Sequence, residues 1–372
     1  MDSSTRTLIL GHDSSSNALG RALSLALVAR ELGDVHICAV GAGRVWKGAR
    51  QFDFDIDTIS GARMTRRIGE LASRYAKGTD RLIVWVSKGI APLPRLVGEI
   101  RRVVPSAVVI VDLDDDDAGL ARAFRARSLS NAFKLNPLRV MHPLRIEASQ
   151  QRSFLLADGL TYATDALRRR LPANLPATLI PHTRAEGRER LPPAAGSDRV
   201  RIGAFGTIRA HKGQAVLQNL IATYQDVELF TFQGSGMGAP GPGQDNWTEI
   251  SPDTPLEEAY DLVDVALIVM DATSDGGDVQ LPAKLIDAMK AGVPIVATRT
   301  DPIDEIAGGV YLPLDQHTTL EEIHAAVMAA VTSDRGHAAR ERFLRELTPS
   351  ALASTLIAHI TQISQGKGHT HD

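Results

Sequence analysis

Two stretches of this 372-residue chain carry residue types that could hold a small anion. The first is residues 206–213, GTIRAHKG, where Arg209 and Lys212 place two cations inside a glycine-bounded turn opened by Gly206 and Thr207. Between a strand and a helix, such a turn can cradle a diphosphate, because backbone N–H groups and a helix N-terminus add to the cationic charge. The GK[ST] ending of a P-loop is missing. A plain strand-to-helix turn with solvated cations is the competing reading. The second stretch is residues 278–298, DVQLPAKLIDAMKAGVPIVAT. Pro282 suits a helix start, Leu285, Ile286, Met289 and Val293 make an apolar side, and Gly292 is a stop. Lys284 and Asp287 are three apart and share a face, which serves either a ligand or a simple ion pair. The loop before this helix, 274–278, contains Gly277 and Asp278, and its amides, with that of Val279, could approach an anion.

Other candidates have simpler explanations. Asp112-Leu-Asp114 has the spacing of a carboxylate pair that holds a divalent cation, but a polar loop at a strand end accounts for it, and no metal is expected. His12, His142, His182 and His211 fall near strand ends, where a hydrogen-bonded loop role suffices. His369 and His371 make only a weak metal pair. Gly41-Ala-Gly43 is followed by Trp46 where a dinucleotide fingerprint needs its third glycine, so a nicotinamide cofactor is not expected.

The elements that must position these residues alternate. Apolar runs at 7–11, 35–40, 81–86, 107–112 and 178–180 read as strands, and 153–156 with 159–161 bracket another. Helical spacing covers 18–32, 94–104 and 164–171. Residues 185–199, EGRERLPPAAGSDR at their centre, have no apolar period and read as a linker. The alternation then restarts, with strands at 200–205, 227–232, 265–270 and 293–298 and an extended piece at 310–313. Helices are expected at 214–224, 256–262, 282–291, 319–332, 336–346 and from Pro349 to about 364. This is the signature of two α/β halves. The expected domains are 1–188, 189–347, a helix 348–365 and a disordered tail 366–372.

Composition limits the partners. Lys plus Arg total 41 and Asp plus Glu 44, a formal net charge of −3. That balance argues against bulk nucleic acid or an anionic membrane as the main partner. Only 5% of residues are aromatic, which disfavours a base-stacking surface. One cysteine, Cys38, excludes an internal disulfide framework. No apolar run approaches the roughly 18 residues of a spanning helix, so a cytoplasmic protein is expected, with a weak peripheral membrane contact left open.

Taken together, the motifs resemble those of the retaining GT-B glycosyltransferases, the group 1 or family-4-like set. The resemblance rests on the turn 206–213 with its Lys-Gly ending, on Phe232-Gln-Gly-Ser-Gly236, on Tyr260-x-x-x-Asp-Val265 and on the stretch from Pro282 to Val296. In the first half, the loop from Ser15 through Gly20 and Arg21, the pair Ser87-Lys88, the run Asp112 to Asp117 and the turn Ile180-Pro-His182 also fit. The resemblance implies a GT-B fold of two Rossmann-like domains facing across a cleft. It implies transfer of a sugar from a nucleoside-diphosphate donor, UDP- or GDP-linked, to an acceptor hydroxyl with retention and without a metal cofactor.

By the same resemblance, Lys212 matches the lysine on the donor diphosphate. Thr207 stands where many members have arginine, so that role passes to Arg209. Asp287 matches the second acid of a Glu-x7-Glu pair that holds the ribose hydroxyls. Val279 occupies the first acid's place, with Asp278 or Asp275 nearby. Gly206, Gly277 and Lys284 join the donor side, and Gly20, Arg21 and Lys88 the acceptor side. A GT-B-fold epimerase and a non-catalytic nucleotide-sugar-binding subunit remain as alternatives, and the acceptor is not specified.

Overall fold

Runs rich in Val, Ile and Leu become strands of two all-parallel sheets, covered on both faces and so apolar along their length. The computed structural model describes residues 5–191, 198–241, 243–271, 273 and 276–368. By its internal contacts the chain divides into unit 1, Met1–Ala185 with Thr348–Asp372, and unit 2, Glu186–Leu347.

Unit 1 begins β1 (Thr5–Gly11), α1 (Leu19–Arg30), β2 (Asp34–Val40), β3 (Ile56–Ile59), α2 (Met64–Tyr75), β4 (Arg81–Ser87), α3 (Leu93–Val103) and β5 (Val108–Leu113). Three helices follow, α4 (Asp117–Ala126), α5 (Leu129–Lys134) and α6 (Pro143–Leu155), then β6 (Gly159–Tyr162), α7 (Asp165–Arg168) and β7 (Ala177–Leu179). The strands are ordered β3-β2-β1-β4-β5-β6-β7. Side chains alternate across this sheet: Leu8 and Leu10 enter the core on one face with Leu93, Leu96 and Ile100 of α3, and Ile9 enters the other with Leu19, Ala22 and Ala26 of α1.

Unit 2 runs β8 (Val200–Gly203), α8 (Gln214–Thr223), β9 (Val227–Phe232), β10 (Trp247–Ile250), α9 (Leu256–Asp261), β11 (Val265–Ile268), α10 (Ala283–Ala291), β12 (Ile295–Thr298), α11 (Asp301–Ala307), β13 (Leu312–Leu314), α12 (Leu320–Val331) and α13 (Arg335–Glu346). Its order is β10-β9-β8-β11-β12-β13. The last helix, α14 (Pro349–Gly368), belongs to unit 1. There Leu352, Leu356, Ile360 and Ile363, at helical spacing, pack into the core that α1 lines. No helix among the described residues is long and apolar enough to cross a membrane.

Several expectations change. The run 153–156 is no strand: residues 153–155 are the last of α6, with Ser153 and Phe154 buried and Leu155 exposed, a helical rather than an alternating pattern. The helix expected over 164–171 shrinks to the single turn α7. The expected linker is anchored over 186–191. Arg188 pairs with Asp261, the Leu191 N–H donates to Asp261 Oδ1 (2.7 Å), and Arg340 Nη2 donates to the Gly187 carbonyl (2.7 Å). Residues 366–368, expected in the tail, continue α14. His369 and His371 lie outside the described residues.

Candidate functional site

In each sheet the strand order reverses at one place, between β1 and β4 in unit 1 and between β8 and β11 in unit 2. In parallel α/β sheets a ligand crevice opens there, outside the carboxyl ends of the strands. The residues at these two positions are therefore the ones to inspect.

In unit 2 the segment after β8 holds Gly206, Thr207 and Arg209, all exposed, and then a single 3-10 turn, Ala210–Lys212. Two neighbours fix it. The Ile208 N–H donates to the Ser235 carbonyl (2.7 Å), and the Asp271 N–H donates to the His211 carbonyl (2.9 Å). Gly213 closes the turn at φ +74°, and a Cβ there would meet the Val269 Cβ at 2.4 Å. Both the backbone sign and the close approach thus demand glycine at this position. The loop after β9 is held alike, since a Cβ on Gly236 (φ +106°) would meet the Ile208 carbonyl oxygen at 2.2 Å.

The segment after β11 leads into α10. Pro282 is its N-cap and supplies no side-chain cap to the first N–H groups of this nine-residue helix. Lys284 sits in this first turn, half-buried. Burial first, and then the charge of Lys212, push its ammonium down to about 7. Lys212 and Lys284 are therefore close enough to repel. A cation at a helix N-terminus is also unfavourable toward the helix dipole. Burial, a like charge and a dipole all act against Lys284, and an anion would relieve all three. No charged group among the described residues offsets the Lys212 effect on it.

Asp287 lies one turn further along α10, half-buried. Val279 is buried, so only its backbone could reach a ligand, whereas Asp278 is exposed and Gly277 is buried. Asp275 lies outside the described residues.

Unit 1 assigns its expected cations differently. Arg21, on α1, is engaged within unit 1. It is 1% exposed, and its Nε and Nη2 donate to the two oxygens of Asp112 at 2.8 and 2.7 Å. Nη2 also donates to the Ile180 carbonyl (2.7 Å), while Thr161 Oγ1 donates to Asp112 (2.7 Å). This network ties α1, β5, β6 and the segment after β7 together. Lys88 is likewise engaged. At φ +72°, its buried ammonium stands 2.7 Å from Asp114, 3.1 Å from Asp115 and 3.1 Å from Asp117. Burial opposes its charge, but Asp114, Asp117 and Asp115 hold its pKa well above the ordinary value. Asp112 and Asp114 thus face different cations. Gly20 lies in the first turn of α1, backed by the Trp46 ring.

Sequence reasoning did not single out the environment of His12 and His182. Burial, then Lys88, lowers His12 to about 4; burial, then Arg21, lowers His182 well below its ordinary value. Each keeps a buried Nδ1 without a hydrogen-bond partner among the described residues. Both follow strands of a parallel sheet and lie within the field of Lys88, at the carboxyl end of unit 1's sheet. A histidine after a strand was the one signal available, and it does not reveal burial.

Two units of this topology in one chain fit a two-domain α/β GT-B fold. No family model and no curated protein matches the sequence. Solved structures do. Sucrose-phosphate synthase from Thermosynechococcus elongatus matches with a TM-score of 0.60 at 12% identity, covering 98% of this chain and 100% of that one. Anabaena HepE in complex with UDP-glucose gives 0.65 at 10% identity, covering 96% and 99%. A glycosyltransferase from Rickettsia africae gives 0.61 at 11%, covering 98% and 99%. At such identities the likeness establishes the fold.

Proposed function

We propose that the chain transfers a sugar from a nucleoside-diphosphate donor to an acceptor hydroxyl. The observation that carries this reading is the Lys212–Lys284 pair at the strand-order reversal of unit 2, beside the N-terminus of α10. Two lysines near enough to repel suit an anion with more than one charge. The similarity to HepE, whose complex contains UDP-glucose, supports a nucleotide sugar as that anion.

In this mechanism the protein's main task is to stabilise charge as the glycosidic bond to the diphosphate breaks. Lys212 and Lys284 meet the departing diphosphate, and Arg209 on the exposed turn adds a third cation. The backbone N–H groups of the α10 first turn, with Gly277 and Val279 of the preceding loop, complete the cradle, and Gly206 and Thr207 let the ligand approach the turn. Asp287 accepts from the ribose hydroxyls. No step is assigned to a metal ion. Retention at the anomeric carbon rests on the motif resemblance.

A second reading, a subunit that binds the nucleotide sugar without turnover, is favoured by one observation. The place of the first ribose acid holds the buried Val279.

The test uses Lys212→Glu. In the parent chain, nucleoside diphosphates and nucleotide sugars should raise the melting temperature, and the matching monophosphate should do so far less. The variant should melt as the parent does without ligand, lose the shift and lose transfer. Full transfer by Lys212→Glu would overturn the assignment. Donor binding without turnover on any acceptor would select the second reading.

A further inference from the structure

One stretch of unit 1 exposes apolar side chains far beyond the rest of the described residues. Leu129 is 91% exposed, Phe133 80%, Leu138 81% and Leu155 86%, with Val140 and Leu144 also exposed. They fall in α5, the connection 135–142 and α6. No residue of α5 is buried, and Leu129 and Phe133, four apart, share one of its faces. On α6, Pro143, Ile146, Ser153 and Phe154 are buried against unit 1. Leu144 and Leu155, eleven residues apart, come round to within about 20° of each other on the outward side. Scattered exposed leucines are ordinary, but a concentration of this kind marks a contact surface.

Charge identifies the partner. Residues 118–155 contain seven Lys or Arg and a single acid, Glu147, which pairs with Arg122. Lys134, Arg139, Arg145 and Arg152 are exposed along the same stretch. The whole-chain charge of −3 conceals this block. We propose that α5, the connection after it and the outer face of α6 seat the protein on an anionic lipid bilayer. The leucines and Phe133 enter the boundary between headgroups and acyl chains, and the basic side chains meet the headgroups. A second copy of the chain fits less well, because it would bring one cationic block against another. Nucleic acid would use the cations but leave the leucines facing water. This surface does not depend on sugar transfer.

The full-length chain should co-sediment with phosphatidylcholine vesicles that contain phosphatidylglycerol, and only weakly with phosphatidylcholine alone. High salt should release it, because exposed charges are then screened. The triple variant Leu129→Ser, Phe133→Ser, Leu138→Ser removes side chains that have almost no contacts, so its melting temperature should match the parent's. Its partition onto anionic vesicles should fall by about tenfold or more. Unchanged partition in that variant, equal binding to both lipid mixtures, or no binding to either overturns the proposal. So does concentration-dependent dimerisation, or binding of an RNA duplex, that the variant abolishes while neither lipid is bound.

Discussion

Titrating nucleotide-sugar affinity through neutral pH tests the lysine pair of unit 2 directly. In the folded chain, burial and then Lys212 hold Lys284 at about 7, against an ordinary value of 10.5. A bound diphosphate supplies the missing negative charge and returns the group toward that ordinary value. At pH 8 the lysine is about one-tenth charged alone and essentially fully charged in the complex, so binding takes up about 0.9 proton. Affinity should then fall about tenfold, or about 1.4 kcal/mol, for each pH unit above 7. A nucleotide sugar is the right ligand, because both its phosphates are esterified and stay singly ionised across this range. Calorimetry at pH 8 in two buffers of different ionisation enthalpy reads the proton uptake. Lys284→Met keeps the apolar stem and should take up none. Uptake below about 0.2 proton in the parent chain, or an affinity flat from about pH 6 to 8.5, would refute the claim that Lys284 awaits an anion.

Three further outcomes follow from the same structure. The unfolded chain binds more protons at Lys284 than the folded chain between about 7 and 10.5, so this residue makes stability rise with pH across that window. Lys284→Met should therefore raise the melting temperature at pH 7 and leave it nearly unchanged near pH 10; a lower melting temperature at pH 7 contradicts the sign. Gly213→Ala forces a side chain into positive φ and against Val269. It should cost about 1–3 kcal/mol in urea denaturation and weaken donor binding, whereas a neutral result would mean that the turn is not tightly held. Arg21→Met leaves the Asp112 carboxylate buried without its cation, so destabilisation of about 3–5 kcal/mol is expected, with partial recovery on adding Asp112→Asn. A loss below about 1 kcal/mol would show that the network is dispensable.

The candidate site was legible where its chemistry is contiguous. Lys212 and Lys284 each stand in a short run whose glycines and prolines announce a turn or a helix start. The reversal of strand order then brings the two runs together. For Arg21 and Lys88 the sequence shows a cation but not the carboxylate that faces it; Asp112 is 91 residues from Arg21. The strands of the sheet interiors were legible from their unbroken apolar runs. The edge strands β3 and β10 were not, since IDTI and WTEI are half polar and only partly buried. Helices α4 to α6 escaped for a related reason. In α4 and α6 the apolar residues are divided between core and solvent, and α5 buries none, so no single stripe stands out.

The return of α14 to unit 1 has a consequence for synthesis. The surface of α1 that Leu352, Leu356, Ile360 and Ile363 cover leaves the ribosome before any of unit 2 does. The covering helix follows only after all of Glu186–Leu347 has been made. At about 5–20 residues per second, that interval is roughly ten to thirty seconds. Unit 2 can complete its fold in this time, whereas unit 1 waits with an apolar groove open to other nascent chains. The half of the protein that is translated first is the half that is finished last.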